Sequence, residues 1–516
     1  MKQGVKRMAK TYSDFMNEIS GDELFEAMLA HGLFAEKFPP IFTGENFLRY
    51  CQTLTAPFTP KAKHRGYQLV CYESMRNINI PRCMSIPSPF SYHGLIRCLA
   101  DNWPALQIYF QTQTAGQRYK ASRIHIRKRR GTDSLFEMNY DNWRTDGSPE
   151  NDLRIGMKYI VKADISNCFP SIYTHSLPWA LVGKSLSKQK RKTTMESPTD
   201  GCWENDIDYY SRQIKCGETH GLPIGPHVSN LLSEIILVAI DKELCGWRFV
   251  RAIDDYTCYV DSQEKAELFL RELNEALAEY DLCLNHKKTC VCPLPASEEK
   301  PWSWALEQVS AFYDPRDQIN YKGMRAYLDA AIRTMSVNGG DAAVLKYAIK
   351  VLSNDDIQKT DNAKEYCAKT FLHLALLFPY LVPLLDEYLF EKFLILPNLI
   401  AEFLNAAYKQ GLDARNFEET TWAAYLAKKH GVTLADIKFD DAINSNNAVF
   451  QLVSYHYFLH IGDADSAKEL KKYAATLLAD EDEFERHWVF AYEVLSASQL
   501  KSNWKTLKAA GVTFLK

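Results

Sequence analysis

The feature that most constrains this chain is a set of aspartates placed where short apolar strands end. A strand is predicted over residues 158–165 (KYIVKADI), and Asp164 lies at its end. A hairpin is predicted over residues 249–260, with Asp254 and Asp255 at its tip. Charged groups are costly to bury unless they are paired or bound to a cation. A fold that brings these two segments together is therefore expected to bind a divalent cation there.

An Asp-Asp pair alone is more often an ordinary hairpin turn, because Asp is a favoured turn residue. The surrounding elements favour the other interpretation. Helices are predicted over residues 231–244 and 266–280, and a further strand is predicted near residues 289–291. The resulting order of strand, helix, hairpin, helix and strand is a split βαβ arrangement, which is what a polymerase palm requires.

Three carboxylates on adjacent strands have the chemistry of a nucleotidyl-transfer site. Asp164, Asp254 and Asp255 are predicted to be catalytic and to hold two Mg²⁺ or Mn²⁺ ions. One ion would activate the attacking 3′ oxygen, and the other would stabilise the leaving pyrophosphate.

The length of 516 residues predicts more than one domain. We expect an N-terminal segment and fingers at 1–157, a palm at 158–310 and a helical domain at 311–516. The predicted fold class is thus an α+β palm and fingers domain followed by an all-α, HEAT-like helical-repeat domain. The C-terminal helices are predicted over residues 324–336, 342–352, 363–378, 390–407, 421–430, 448–459, 465–478 and 484–495.

The composition indicates a folded, soluble chain, with 46% hydrophobic and 24% charged residues. The 13 cysteines lack the dense spacing of a disulfide scaffold, which indicates a reducing compartment. The longest apolar run, residues 371–385, contains two prolines and is shorter than the roughly 20 residues that span a bilayer. The N-terminus lacks an apolar signal-peptide core. We therefore expect a cytoplasmic protein without membrane contact.

Basic residues cluster although the net charge is only −3. Between residues 117 and 131 there are seven basic residues and no acid, and residues 184–192 form a second run. An isolated run of this kind is usually a solvated face. Guanidinium and ammonium groups also suit triphosphate or single-strand backbones, so Lys120, Arg123 and Arg127 are candidate nucleotide-binding residues.

Cys283, His286, Cys290 and Cys292 are an alternative metal-binding set. Common zinc modules have two well-separated ligand pairs, which this spacing does not provide. Ordinary packing cysteines are the expected interpretation.

Four segments resemble the motifs of reverse transcriptases and occur in the order of that family. Residues 162–172 (KADISNCFPSI) resemble motif A, 221–226 (GLPIGP) motif B, 252–255 (AIDD) motif C and 284–289 (LNHKKT) motif D. A closer similarity to the bacterial abortive-infection reverse transcriptases of the AbiK type lies in two further segments, 171–180 (SIYTHSLPWA) and 81–89 (PRCMSIPSP).

The resemblance implies roles for individual residues. Phe169 would lie under the sugar of the incoming nucleotide and select deoxynucleotides, although it also suits a core position. Ile165 and Gly225 would contribute to the same nucleotide site. Lys288 would protonate the departing pyrophosphate, with an ordinary surface lysine as the alternative interpretation.

Two positions depart from the family pattern. Ala252 replaces an aromatic residue in motif C, and Ile224 replaces the usual Gln in motif B. These losses weaken the case for templated copying. The resemblance implies instead template-independent DNA synthesis in phage defence, primed on a protein hydroxyl, with Tyr12 as the candidate primer and Tyr50 as another early tyrosine.

The partners that follow are deoxynucleoside triphosphates, a single-stranded DNA product attached covalently to the protein, and further copies of the chain in a homo-oligomer. Two alternatives stay open from the sequence. One is a templated reverse transcriptase of the retron type. The other is a non-catalytic nucleic-acid-binding scaffold, which the three acidic residues disfavour because phosphates must approach them.

Overall fold

The structure is a computed structural model that describes residues 11–55, 58, 65–117, 149–194, 202–296, 302–303, 306–307, 318–393 and 395–516. Its first helices are α1 (Tyr12–Asn17), α2 (Gly21–His31) and α3 (Glu45–Cys51). Thr11 and Ser20 precede α1 and α2, and each forms a capping box with an acid three residues later. These caps satisfy backbone N–H groups that have no partner within the helix.

An antiparallel hairpin follows, formed by β1 (Val70–Met75) and β2 (Pro81–Ile86), with Val70 opposite Ile86. We refer to residues 70–86 as the fingers hairpin. Cys71 and Cys83 are joined by a disulfide across this hairpin, which the expectation of reduced cysteines did not foresee. Two helices come next, α4 (Pro89–Asp101) and α5 (Trp103–Thr114).

The palm has the predicted order of elements. Its strands are β3 (Tyr159–Asp164), β4 (Phe249–Ala252), β5 (Asp255–Val260) and β6 (Cys290–Pro293). Its helices are α6 (Pro149–Leu153), α7 (Cys168–Ser171), α8 (Ser176–Val182), α9 (Lys184–Thr194), α10 (Trp203–Gln213), α11 (Val228–Glu243) and α12 (Gln263–Ala278). Among the described residues the four strands form one antiparallel sheet in the order β4-β5-β3-β6. The split βαβ prediction is confirmed.

The alternation of side chains along β3 separates two apolar layers. Val161 and Ala163 face the main core, where α11 is buried along nearly its whole length. Ile160 faces the opposite side and packs with Leu153 of α6 in a small second cluster. Apolar side chains thus cover both faces of the sheet at the end near Ile160. At the other end, where Asp164 lies, the face that Ile160 shares is left to polar side chains.

After residue 318 the described elements are helical. The α-helices are α13 (Tyr321–Val337), α14 (Ala343–Leu352), α15 (Asp361–Leu377), α16 (Val382–Leu385), α17 (Pro397–Asp413), α18 (Phe417–His430), α19 (Phe439–Asn444), α20 (Ala448–Ile461), α21 (Ala464–Thr476), α22 (Glu481–Arg486), α23 (Trp488–Val494) and α24 (Ser502–Ala509). Short 3₁₀ turns at Pro379–Leu381 and Leu477–Ala479 and a π turn at Asp386–Phe390 lie between them.

Two of the predicted C-terminal helices are wrong in extent. The segment 390–407 is not one helix, because a new helix begins at Pro397. Proline is favoured at the first position of a helix, since a backbone N–H there would have no partner within the helix. The segment 484–495 is interrupted at His487, whose φ of −121° and ψ of 15° are not helical. Neighbouring helices α17, α18 and α20 pack on one another in sequence, but a HEAT-like repeat stays a prediction, as do the boundaries at 157 and 310.

The C-terminal helices hold the fingers hairpin through polar contacts. The buried Glu418 carboxylate of α18 accepts the Met75 N–H at 2.5 Å, and Glu485 accepts the Gln68 N–H at 3.0 Å. At the hairpin tip, Asn77 donates to Asp341 at 2.6 Å. The helical region therefore satisfies one backbone N–H of β1 and one that lies just before it, which ties the two parts together.

None of the described helices is both long enough and apolar enough to cross a lipid bilayer.

Candidate active site

The predicted carboxylates meet at the free end of the palm sheet. Asp164 is the last residue of β3 and is only 4% exposed. The antiparallel register places it opposite Asp255, the first residue of β5. Residues directly opposite one another in such a pair have Cβ atoms about 4.5–5.5 Å apart. Two acids that are distant in sequence are thus brought side by side.

Asp254 occupies the two-residue turn between β4 and β5. The preceding Ile253 has φ of +54°, a left-handed conformation that is costly for a β-branched residue. Two hydrogen bonds hold the turn: the Ile165 N–H donates to the Asp254 carbonyl at 3.1 Å, and Arg251 Nη1 donates to the Ile253 carbonyl at 2.9 Å. Strain of this kind persists where the surroundings determine it and is frequent at active sites.

Asp164 is bound by the segment that follows α12. Lys288 Nζ lies 2.6 Å from Asp164 Oδ2, and Asn285 Nδ2 donates to Asp164 Oδ1 at 2.8 Å. The Asn285 N–H also donates to the Asp164 carbonyl at 2.7 Å. The structure places Lys288 beside Asp164, and its catalytic role stays a prediction. Sequence reasoning assigned no role to Asn285, although its place in the motif D match was available as a signal.

Burial and the nearby negative charges raise the pKa values of two of the acids, Asp254 and Asp255. Burial, followed by the charges of Asp254 and Asp164, raises the pKa of Asp255 to about 6. Burial also raises the pKa of Asp254. The hydrogen bond to Asp164 raises the pKa of the Lys288 ammonium. The site therefore carries an excess of negative charge that a bound cation would relieve.

This donor set fits a divalent cation. Carboxylate oxygens are the ligands that Mg²⁺ and Mn²⁺ prefer, and Asp164, Asp254 and Asp255 would hold the ion. Within the described residues no three such side chains are yet arranged around one point, and the Lys288 ammonium occupies one oxygen of Asp164. The Lys288 side chain is 64% exposed. A bound ion would supply Lewis-acid stabilisation of charge on a phosphoryl group.

We expect cation binding at this site to weaken below about pH 6. The pKa of Asp255 is raised to about 6, so protons compete with the cation below that value. The apparent dissociation constant of Mn²⁺, measured by isothermal titration, should rise about tenfold per pH unit from pH 6 to pH 5. Asp255→Asn should bind Mn²⁺ more weakly and lose this pH dependence. A flat profile in the wild-type protein would contradict the assignment.

The predicted nucleotide-binding residues have different placements. Phe169 is half-buried in α7, and its carbonyl accepts the Leu222 N–H at 2.8 Å. The Gly225 φ of +124° and the Ser85 carbonyl, 3.1 Å from where a Cβ would stand, explain the glycine there. Ile165 has a buried side chain, and its N–H donates a hydrogen bond to the Asp254 carbonyl. A nucleotide contact of Ile165 stays a prediction.

Motif B is joined to motif A through its first glycine. The Gly221 N–H donates to the Ile172 carbonyl at 2.8 Å, and its φ of +83° is available mainly to glycine. A Cβ at Gly221 would lie 2.9 Å from the Pro170 carbonyl. The Ser85 N–H of the fingers hairpin donates to the Ile224 carbonyl at 2.7 Å. Motif B is thereby held between the palm and the fingers hairpin.

Lys120, Arg123 and Arg127 lie outside the described residues, so their predicted role is untested. Of the second basic run, Lys184 lies over the Trp179 ring at 4.2 Å.

The alternative zinc set finds no support. Cys290 and Cys292 have sulfurs 3.9 Å apart, and Cys283 is exposed. The described part of the chain contains no cluster of three or more His, Cys, Asp or Glu side chains suited to one metal ion. Strand β6, which includes Cys290 and Cys292, is instead an ordinary member of the sheet.

The reason for choosing Tyr12 as a primer is wrong. Mobility of the N-terminal end was the premise, but Tyr12 is the first residue of α1 and is only 3% exposed. Its ring packs on Phe110, with centroids 5.8 Å apart, and its hydroxyl lies near Glu234. Burial raises the pKa of this phenol, which opposes its action as a nucleophile.

Part of the chain matches a known protein family. Residues 106–325 match the family model described as reverse transcriptase (RNA-dependent DNA polymerase). Solved structures similar to the chain include apo telomerase from Candida tropicalis, at 11% identity and a TM-score of 0.30 over 74% of this chain and 68% of that one. Telomerase from Candida albicans in complex with a fragment of telomeric RNA is 10% identical to the chain. The TM-score is 0.26, and the match covers 75% of this chain and 70% of that one. No curated protein sequence matches the chain.

Proposed function

We propose that this chain, a nucleotidyltransferase with a reverse transcriptase domain at residues 106–325, makes DNA from deoxynucleoside triphosphates without copying a template. The growing strand is attached to a hydroxyl group of the protein itself. The reaction uses two Mg²⁺ or Mn²⁺ ions at Asp164, Asp254 and Asp255. In the cytoplasm of a bacterial host, a homo-oligomer of the AbiK type would use this synthesis in abortive-infection defence against phage.

The observation that carries the proposal is the pair of departures beside an otherwise intact carboxylate site. Ala252 is paired with Asp255 and offers only a methyl group where the family has an aromatic ring. Ile224 has an apolar side chain where the family has an amide, and its carbonyl accepts a hydrogen bond from the Ser85 N–H. Neither side chain can hydrogen-bond a base or stack on a primer end. The acids that perform the transfer are retained, so synthesis without a template fits better than accurate copying.

Phe169 supports deoxynucleotides as the substrates. It lies five residues after Asp164, and its backbone is fixed by the hydrogen bond from Leu222. A half-buried ring fixed in this way would exclude a 2′-hydroxyl from the space beside the carboxylates.

The test is incubation of the purified protein with labelled deoxynucleoside triphosphates and Mg²⁺, without added nucleic acid, followed by denaturing electrophoresis. Label that migrates with the protein, shifts on nuclease treatment and is absent in Asp254→Ala would support the proposal. Product that is free of protein and requires added RNA would support the retron-type alternative instead. No incorporation under either condition would exclude both.

The attachment residue can be mapped by protease digestion and mass spectrometry of the nuclease-trimmed peptide. Because Tyr12 is buried, the nucleotide is expected on a peptide other than the one that contains Tyr12. The role in defence is tested by comparing phage plating on bacteria that express the wild-type protein and Asp254→Ala. Equal plating efficiencies would contradict it.

A further inference from the structure

A cluster of buried charges lies directly beneath the catalytic turn. Arg251 of β4 is fully buried, with both carboxylates of the cluster coming from α11. Its Nη2 lies 2.7 Å from Asp241 and 3.0 Å from Glu234, and its Nε lies 2.9 Å from Asp241. Two acids and one base far from water are expensive to bury, and replacing such a group by apolar side chains is often neutral or stabilising. Stability alone is therefore a weak reason for this cluster.

The guanidinium has five N–H donors, and all five have acceptors here. Nε and one N–H of Nη2 donate to Asp241, while the other N–H of Nη2 donates to Glu234. Nη1 donates to Glu234 at 3.1 Å and to the Ile253 carbonyl at 2.9 Å. The two carboxylates thus fix the plane of the guanidinium, and that plane directs its last donor to the turn.

The turn that receives this donor is the strained one. Ile253 has φ of +54°, and the next residue is Asp254. Its carbonyl faces Arg251, so the orientation of the following peptide, and with it the Asp254 carboxylate, depends on that hydrogen bond. A lysine at this position would keep the charge, but its single nitrogen cannot hold both acids and the carbonyl in the fixed geometry of a planar fork.

The N-terminal helix contributes to the same cluster. The Tyr12 hydroxyl lies near Glu234, and on the other side the fully buried Tyr256 of β5 lies close to Asp241. Helix α1 therefore borders the cluster at Glu234, and Glu234 in turn accepts hydrogen bonds from Arg251, which also donates to the catalytic turn.

We propose that Arg251, held by Glu234 and Asp241, is a positioning residue that sets the Asp254 carboxylate for cation binding, and that Tyr12 makes helix α1 part of this device. The inference rests on the carboxylates acting as a cation site. It does not require template-independent synthesis.

The experiment compares Arg251→Lys with Arg212→Lys, which serves as a matched control. Arg212 is 12% exposed and pairs with the buried Asp208 at 3.5 Å, away from the carboxylates. Mn²⁺ affinity is measured by isothermal titration without nucleotides, and unfolding temperature is measured on the same samples. For Arg251→Lys we expect about 10- to 100-fold weaker Mn²⁺ binding, as for other residues that orient metal ligands. Arg212→Lys should bind Mn²⁺ as the wild type does.

Nucleotide incorporation gives a second readout. Arg251→Lys should lower kcat about 10- to 100-fold and change the KM for the nucleotide little, because the nucleotide contacts are retained. If the wild type incorporates no nucleotide, the proposed function fails, while Mn²⁺ affinity still decides this inference. A folded Arg251→Lys protein with wild-type Mn²⁺ affinity would overturn it.

Tyr12→Phe keeps the test possible if Arg251→Lys does not fold. Tyr109→Phe is its matched control, since the buried Tyr109 hydroxyl donates to a backbone carbonyl of the same helix α11, that of Ile235 at 2.7 Å, rather than to a carboxylate. We expect weaker Mn²⁺ binding in Tyr12→Phe alone. Equal Mn²⁺ affinities in the two variants would show that Tyr12 does not help to position Asp254.

Discussion

Replacing Asp254 with Asn is expected to lower nucleotide incorporation by about a thousandfold or more, because a ligand that stabilises charge in the transition state is lost. The protein should remain folded. Burial and the neighbouring charge of Asp164 raise the pKa of Asp254, so its ionised form is unfavourable where it stands. A neutral amide of the same shape removes that repulsion, and the unfolding temperature should stay constant or rise.

The matched control is Asp261→Asn. Asp261 follows the far end of β5, is exposed, and pairs with Lys265 at 2.7 Å. Its substitution should leave incorporation unchanged. Incorporation by Asp254→Asn at the wild-type rate would mean that the carboxylates of the turn do not perform the transfer.

The second large effect concerns stability. Phe514→Ala should lower the free energy of unfolding by about 3–5 kcal/mol, as for other fully buried aromatic rings. The ring is completely buried and contacts Trp488, with centroids 4.9 Å apart, and Phe47 of α3, at 5.5 Å. The Phe514 carbonyl also accepts the Thr43 N–H at 2.8 Å. The C-terminal end thus completes the core of the N-terminal helices.

Urea denaturation followed by tryptophan fluorescence and circular dichroism measures this effect. Leu377→Ala is the control, since Leu377 is 53% exposed and should contribute little. We expect one transition that moves to lower urea concentration in Phe514→Ala. Two transitions, of which only one moves, would mean that the C-terminal helices fold independently of the N-terminal region.

Local sequence patterns were sufficient where the interactions are local. The strand that ends at Asp164, the hairpin that carries Asp254 and Asp255, and helix α11 agree with the structure because the spacing of apolar residues in each reports directly which side chains are buried. Helix ends were less well predicted. Pro397 begins a helix that was predicted to run through it, and the interruption at His487 has no clear local signal.

Pairings between distant segments were beyond the sequence. The ion pair of Lys288 with Asp164 needs β3 and the motif D segment side by side, and Tyr12 reaches Glu234 only because α1 packs against α5. The choice of Tyr12 as a mobile primer went wrong for this reason, since the burial of a terminal segment depends on what covers it. The attachment of the C-terminal helices to the fingers hairpin through Glu418 is of the same kind.

The sequence by itself determined the kind of chemistry, because three acids at strand ends and their motif order are readable along the chain. Only the tertiary structure decided how those acids are held. Nothing in the sequence indicates that the five N–H donors of Arg251 are bound by Glu234, Asp241 and the Ile253 carbonyl. Hydrogen bonds between residues far apart in sequence depend on the packing of whole helices against a sheet, and packing is a property of the folded chain.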